Sequence, residues 1–152
     1  MSTAFSGVWF NELGSEMQLS PSGGQMSGVY MTAVGHAVGN YQLSGRYNEN
    51  PSSGGQAMGW AVAWQNAYLN SHCATAWSGQ YQIDPATGAE EIVTFWLLTI
   101  ETEPDDDWEA TKIGQDTFTR TKPTAEAIEK ARRRRAGSHP VHEPPIAETY
   151  SA

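Results

Sequence analysis

The sequence predicts an all-β fold: an eight-stranded antiparallel up-and-down β-barrel, followed by a short helical or disordered C-terminal tail. The 152 residues include 15 glycines, six tryptophans and six tyrosines, and only 17% are charged. This composition is typical of short strands joined by tight turns. Apolar residues also alternate with a period of two in successive short segments, and every link between segments is short enough for a hairpin. Eight strands in such a series close into a barrel whose interior is filled or holds one small ligand.

Four alternating segments open the chain, and turn signals separate them. The signals are Gly14-Ser15, the PSGGQ stretch at 21–25 and the loop at 35–39. In the first segment both faces carry apolar groups, so we expect cover on both sides. The predicted strands are 7–13, 16–20, 26–34 and 41–47.

A tryptophan-rich hairpin follows the polar loop at 48–56. Its first strand, 60–64, places Trp60, Val62 and Trp64 on one face, with alanines on the other. Its second strand, 75–81, places Trp77 and Tyr81 on one face. Rigid aromatic side chains on a concave face are typical of a small-molecule pocket.

The last two predicted strands are 92–100 and 111–121. Trp96, Leu98 and Ile100 share a face of the first, and Lys112 and Asp116 share a face of the second. An acidic loop at 103–107 separates the two strands and leads into Trp108.

The chain divides into a barrel at 1–123 and a tail at 124–152. Thr124 is a good N-cap for a short helix that ends near four arginines, and Gly137 is a suitable stop. The rest of the tail contains three prolines and little to bury, so we expect it to be extended or disordered. His139, His142 and Glu143 could suggest a metal site, but nothing else in the sequence supports one.

Charge and composition exclude several classes of partner. Residues 1–121 carry three basic and 13 acidic residues, which argues against nucleic acid. No run of about 18 apolar residues is present, so we expect no membrane partner. The single cysteine, Cys73, excludes an intrachain disulfide. The start, MSTAF, resembles no signal peptide, which fits either a cytosolic protein or one whose leader has been removed.

A set of polar residues shares the faces of the aromatic residues and would converge in the lumen. Asparagine, serine and tyrosine can donate hydrogen bonds to a carbonyl oxygen, and a carboxylate accepts from N–H groups. Such a set suits a urea-like ligand, although tryptophans can equally be ordinary core and polar groups can pair among themselves. The residues are Asn11, Ser15, Tyr30, Thr32, Thr75 and Asp116.

The chain resembles the avidin–streptavidin family of biotin-binding proteins, and more closely its bacterial branch. The resemblance runs colinearly over residues 7–123 and includes the motifs WFNELGS, GVYMTAVG, GWAVAWQNAY, ATAWSGQY and WEATKIGQDTFT. It implies a homotetrameric barrel that binds one biotin per subunit, is not an enzyme, needs no cofactor or metal and sequesters biotin. It also implies a secreted or periplasmic location.

The resemblance assigns a role to each matching residue. Donors to the ureido oxygen of biotin are Asn11, Ser15 and Tyr30; acceptors for its N–H groups are Thr32 and Asp116. Thr75 faces the thioether, the backbone N–H of His36 faces the carboxylate, and Trp64, Trp77 and Trp96 form the walls. Trp108 is lent to a neighbouring subunit's pocket, and the ligand-binding set also includes Val34, Cys73, Leu98 and Lys112.

Three of these residues depart from the family's bacterial pattern. His36 replaces an asparagine in a loop whose contact with biotin is through the backbone, so that change is mild. Cys73 replaces a serine that contacts the biotin carboxylate, and a thiol is a weaker donor. Lys112 replaces a pocket leucine; its stem can cover the ligand while its amine reaches solvent or the carboxylate. Together the changes predict weaker binding without a change of ligand, and a Lys112 amine that pairs with the carboxylate would offset part of the loss.

Three other functions fit the sequence less well. A lipocalin-like carrier predicts an apolar lumen, which Asn11 and Asp116 contradict. An enzyme would use Asp116 with His72 or Cys73, but no third group orients them. A barrel that has lost its ligand would be favoured by Lys112 and Cys73.

Overall fold

The computed structural model describes residues 3–33 and 39–137, and of residues 135–137 only the backbone. Two predicted site residues, Val34 and His36, lie outside these ranges. So does the tail from residue 138 onward, which contains His139, His142 and Glu143.

The fold is a closed barrel of eight antiparallel strands in sequential order, as predicted. Each strand pairs with its sequence neighbours, and β1 pairs with β8. A 3-10 helix at Pro104–Glu109 precedes β8, and helix α1 covers Ala125–Gly137. The strands are β1 Gly7–Phe10, β2 Glu16–Ser22, β3 Gln25–Met31, β4 Tyr41–Tyr47, β5 Gln56–Gln65, β6 Asn70–Ile83, β7 Glu90–Ile100 and β8 Thr111–Thr119.

The first strand is shorter than predicted, because Asn11 ends it. The Asn11 Oδ1 atom accepts hydrogen bonds from the backbone N–H groups of Leu13 and Ser15, at 3.1 and 2.9 Å. An asparagine that bonds the backbone two residues ahead forms a turn. The alternation of apolar residues through Leu13 therefore continues through a turn and not through a strand.

The next hairpin is tighter than predicted. Strands β2 and β3 extend to Ser22 and Gln25, so the turn is only Gly23-Gly24, and both glycines have positive φ (56° and 74°). A two-residue hairpin of this kind needs positive φ at both positions, which glycine adopts without strain.

Further boundaries differ as well: β3 ends at Met31 and not at 34, β7 begins at Glu90 and β8 ends at Thr119. The tryptophan-rich strands β5 and β6 reach Gln65 and Asn70, so their connection is four residues long. The predicted acidic loop is instead the 3-10 helix, with a proline in its first turn and Asp105–Asp107 near its N-terminus. Helix α1 includes Gly137, which was expected to follow it.

The inward faces of the strands form one aromatic core. In β5, Trp60, Val62 and Trp64 are buried, while Ala61 and Ala63 are exposed, as the alternation predicts. Five of the six tryptophans are at most 3% exposed.

Side chains reinforce the seam between β1 and β8, where Phe10 and Thr119 form the one register pair. The Glu12 carboxylate accepts a hydrogen bond from Thr117 N. Arg120 donates to the carbonyl oxygens of Ala4, Ser6 and Val8, and its guanidinium lies 3.8 Å from the Trp9 ring centroid.

Helix α1 begins as predicted, since the Thr124 hydroxyl accepts a hydrogen bond from Ala127 N. Its Ile128 packs on the Asn11–Ser15 turn, with Cδ1 2.9 Å from the point where a Cβ on Gly14 would lie. Within the described part of the chain, no helix combines the length and apolar character needed to cross a membrane.

Candidate functional site

The structure brings nine of the predicted site residues into the buried interior. Thr32, Cys73 and Lys112 are partly buried, and Trp108 is exposed. The buried residues are Asn11, Ser15, Tyr30, Trp64, Thr75, Trp77, Trp96, Leu98 and Asp116.

The β1–β2 turn fixes the direction of the Asn11 amide. Because Oδ1 accepts two backbone N–H groups of the turn, Nδ2 points the opposite way and lies 3.5 Å from the Tyr30 hydroxyl. The turn that ends β1 thus presents an N–H donor to the lumen.

Ser15 and Tyr30 place two hydroxyls in the same region. The Ser15 oxygen accepts a hydrogen bond from Ala33 N at 3.1 Å, so its proton can be donated elsewhere. Tyr30 stacks on Trp77, with ring centroids 5.2 Å apart. Three side chains from the β1–β2 turn and β3 therefore supply O–H and N–H donors.

Asp116 supplies a carboxylate beside these donors. It is 4% exposed, and its Oδ2 accepts a hydrogen bond from Trp77 Nε1 at 2.9 Å. Trp77 thus contacts both the Tyr30 ring and the Asp116 carboxylate. Thr94 donates to the Asp116 carbonyl oxygen at 2.9 Å and steadies this position of β8.

Tryptophan side chains are held as walls around the polar groups. Trp64 Nε1 donates to the Thr75 hydroxyl oxygen at 2.8 Å. This bond fixes the Trp64 ring and leaves the Thr75 hydroxyl proton for a ligand. Trp96 is the cross-strand neighbour of Trp77 and lies flat over Gly114, where any Cβ would overlap its ring.

Cys73 and Lys112 lie on the same inward faces as the walls. Cys73 precedes Thr75 by two residues on β6 and packs against the core. Burial raises the pKa of its thiol to about 11, so the thiol is protonated at neutral pH. Lys112 is the register partner of Leu98, which in turn pairs with Thr75.

Trp108 is not part of its own chain's lumen. It lies on the 3-10 helix and is 76% exposed.

Two buried polar side chains of the lumen were missed in the sequence. Thr94 lies on the same face of β7 as Trp96 and Leu98, so the alternation predicts its inward position. Its hydrogen bond to the Asp116 carbonyl oxygen on β8 could not be predicted from the alternation. Tyr41 alternates with Leu43 and is 1% exposed. Nothing in the alternation distinguishes its hydroxyl from that of an ordinary core tyrosine.

Hydrogen-bond donors together with a carboxylate acceptor can bind a small neutral ligand with a polarised carbonyl between N–H groups. The aromatic side chains around them keep water from competing, and hydrogen bonds in such surroundings strengthen one another. The carboxylate makes one of the bonds charge-assisted.

Comparisons with known proteins agree on one family. The Avidin family model matches residues 1–121. Avidin of Gallus gallus is 33% identical over 125 residues, which cover 78% of this chain and 79% of avidin. Avidin-related protein 4/5 of the same organism is 35% identical over 121 residues, or 77% of each chain. Afifavidin of Afifella pfennigii is 33% identical over 118 residues, 76% of this chain and 69% of afifavidin.

Proposed function

The chain belongs to the Avidin family, and from this premise we propose that it binds biotin with high affinity in the barrel lumen. Membership confirms the expectations that the chain is not an enzyme and needs no cofactor. The resemblance read from the sequence is thereby confirmed at the level of the family.

One observation carries the proposal: Asn11, with its amide nitrogen turned inward, faces the hydroxyl of Tyr30, whose ring stacks on the tryptophan that bonds Asp116. In the proposed complex, Asn11, Ser15 and Tyr30 donate to the ureido oxygen. Thr32 and Asp116 accept from the two ureido N–H groups.

The remaining contacts follow the length of the ligand. Thr75 faces the thioether sulfur, and the rings of Trp64, Trp77 and Trp96 enclose the bicyclic system. Because the Asn11 amide and the rings of Trp64 and Trp77 are already held by hydrogen bonds within the barrel, little ordering remains when the ligand binds.

The carboxylate end is the weakest part of the proposed complex. Cys73 provides a protonated thiol where a hydroxyl would donate more strongly. Lys112, partly buried on β8, offers a cation that can pair with the carboxylate and offset part of this loss. Val34 and the backbone of His36 complete the proposed set.

We extend the proposal to assembly and role. The exposed Trp108 supports a homotetramer in which each subunit lends this side chain to a neighbour's pocket. By the family resemblance, the protein is secreted or periplasmic and withdraws biotin from its surroundings.

Calorimetric titration of biotin into the full chain tests the proposal. We expect one biotin per chain and a large rise in melting temperature, because a ligand that binds only the folded state stabilises it. A medium-chain fatty acid is the control ligand, since a lipocalin-like carrier would bind it. The absence of both heat and a thermal shift at saturating biotin would contradict the proposed function.

A further inference from the structure

The hydroxyl of Tyr41 is a buried polar group that none of the proposed contacts uses. Tyr41 is the first residue of β4 and is 1% exposed. Among the residues that the structure describes, its hydroxyl has no hydrogen-bond partner. Leaving a buried hydroxyl unpaired costs free energy, so such a group in a native protein is expected to meet a water molecule or a ligand.

The surroundings of Tyr41 place it beside the proposed pocket. Its ring packs edge-on against Trp64, with centroids 5.1 Å apart, and Trp64 in turn bonds Thr75. Burial and, second to it, the nearby Cys73 raise the pKa of the Tyr41 phenol. Tyr41 thus contacts the bonded Trp64–Thr75 pair, and Cys73 lies two residues from Thr75 on the same face of β6. The phenol and the thiol are both protonated donors at neutral pH.

The position of Cys73 indicates which part of the ligand this pair would meet. Cys73 and Thr75 are on the same face of β6, and two residues of a strand span about 7 Å. With the ureido group at Asn11 and Asp116 and the sulfur at Thr75, the carboxylate is the one polar group of biotin left to place. The next inward position beyond Thr75 is Cys73. Beside this position, the Tyr41 hydroxyl is a strong hydrogen-bond donor that no other proposed contact uses.

We propose that the Tyr41 hydroxyl donates a hydrogen bond to the carboxylate of bound biotin, and that Tyr41 and Cys73 together form a subsite for that carboxylate. This inference rests on the proposed function. It makes Tyr41 a specificity-determining residue that distinguishes free biotin from analogues that lack the carboxylate.

The test combines Tyr41→Phe, which removes only the hydroxyl, with two ligands. One is biotin, and the other is an analogue whose side chain ends in a methyl group in place of the carboxylate. Loss of a hydrogen bond to a charged group should weaken biotin binding about 10- to 100-fold. Binding of the methyl-ended analogue should not change, because it has no acceptor there. Affinities are measured by competition with a weakly binding dye.

Tyr47→Phe is the matched control, since Tyr47 lies at the other end of β4, where its ring packs on Phe5 at 5.0 Å. It should change neither affinity. Melting temperatures of both variants show whether the barrel is intact.

Each outcome separates the two proposals. If the unaltered chain binds biotin and Tyr41→Phe binds it equally well, the hydroxyl meets water only and the inference is wrong, while the proposed function stands. An equal loss for both ligands would show that the hydroxyl acts through packing, which also overturns the inference. If the unaltered chain does not bind biotin, both proposals fail.

Discussion

Asp116 is the single charged side chain among the groups proposed to meet the ureido ring, and it is buried beside Trp77. We predict that Asp116→Asn lowers biotin affinity by about 10- to 150-fold, because a hydrogen bond to a charged group contributes about 1.5–3 kcal/mol and a neutral acceptor less. Competitive titration measures the change.

Asp106→Asn is the control for Asp116→Asn, because it removes the same charge from an exposed position on the 3-10 helix. It should leave affinity unaltered. If the two variants bind biotin equally well, Asp116 is not a ligand contact.

Cys73 allows a chemical test at the same scale. The thiolate is the nucleophile in alkylation, and burial raises the pKa of this thiol to about 11, against about 8.5 for free cysteine. Iodoacetamide should therefore label Cys73 at least about tenfold more slowly than glutathione at pH 8, because the smaller thiolate fraction outweighs the greater nucleophilicity of a high-pKa thiolate. The rate should rise with pH until about 11. Mass spectrometry follows the labelling.

Biotin should slow the labelling of Cys73 further, because the thiol is proposed to lie beneath the ligand's carboxylate. Labelling as fast as that of glutathione would contradict the burial of the thiol. Labelling that saturating biotin leaves unchanged would remove Cys73 from the proposed site.

Which residues face inward was readable from the sequence, but how their polar atoms are connected was not. The period-two alternation placed Trp64, Trp77 and Asp116 on buried faces, and all three are buried. The hydrogen bond from Trp77 to Asp116 joins residues 39 positions apart, so it depends on the barrel's register, which alternation does not specify.

At the scale of elements, the strand boundaries were less predictable than the strands. A side chain decides one of them, since the Asn11 amide ends β1. Alternation cannot reveal such an end, because a turn residue can bond its own backbone without interrupting the apolar pattern. The start of helix α1 was readable by contrast, because threonine at 124 is a recognisable N-cap.

The contact between β7 and β8 at Trp96 carries a prediction about an element. Gly114 lies directly under the Trp96 ring, so the Cβ of Gly114→Ala would overlap it. We expect a loss of about 1–3 kcal/mol in the free energy of unfolding, typical of overpacking, measured by urea denaturation. Biotin affinity should fall as well, because the wall is displaced.

Gly54→Ala provides the comparison for Gly114→Ala, since nothing lies within 4 Å of the Cβ it would add. Its stability should stay within about 0.5 kcal/mol of the unaltered chain, as is usual for surface substitutions. Equal stability of the two variants would mean that Trp96 can move away from β8 without loss.

At the scale of the whole molecule, the closed barrel buries most of its aromatic side chains but leaves Trp108 76% exposed. A large aromatic side chain with a polar tip is enriched at protein interfaces and is often a hot spot there. We predict a solution mass about four times the 16.6 kDa of one chain, measured by light scattering.

Trp108→Ala should weaken biotin binding at least about tenfold, since interface hot spots contribute 2 kcal/mol or more, and leave the secondary structure intact. Tyr68→Ala is the matched control because Tyr68 is also 76% exposed but lies on the β5–β6 connection, and it should bind biotin like the unaltered chain. A monomeric mass, or equal biotin binding by both variants, would contradict this prediction. Each pocket would then be formed by a single chain, and Trp108 would not be part of it.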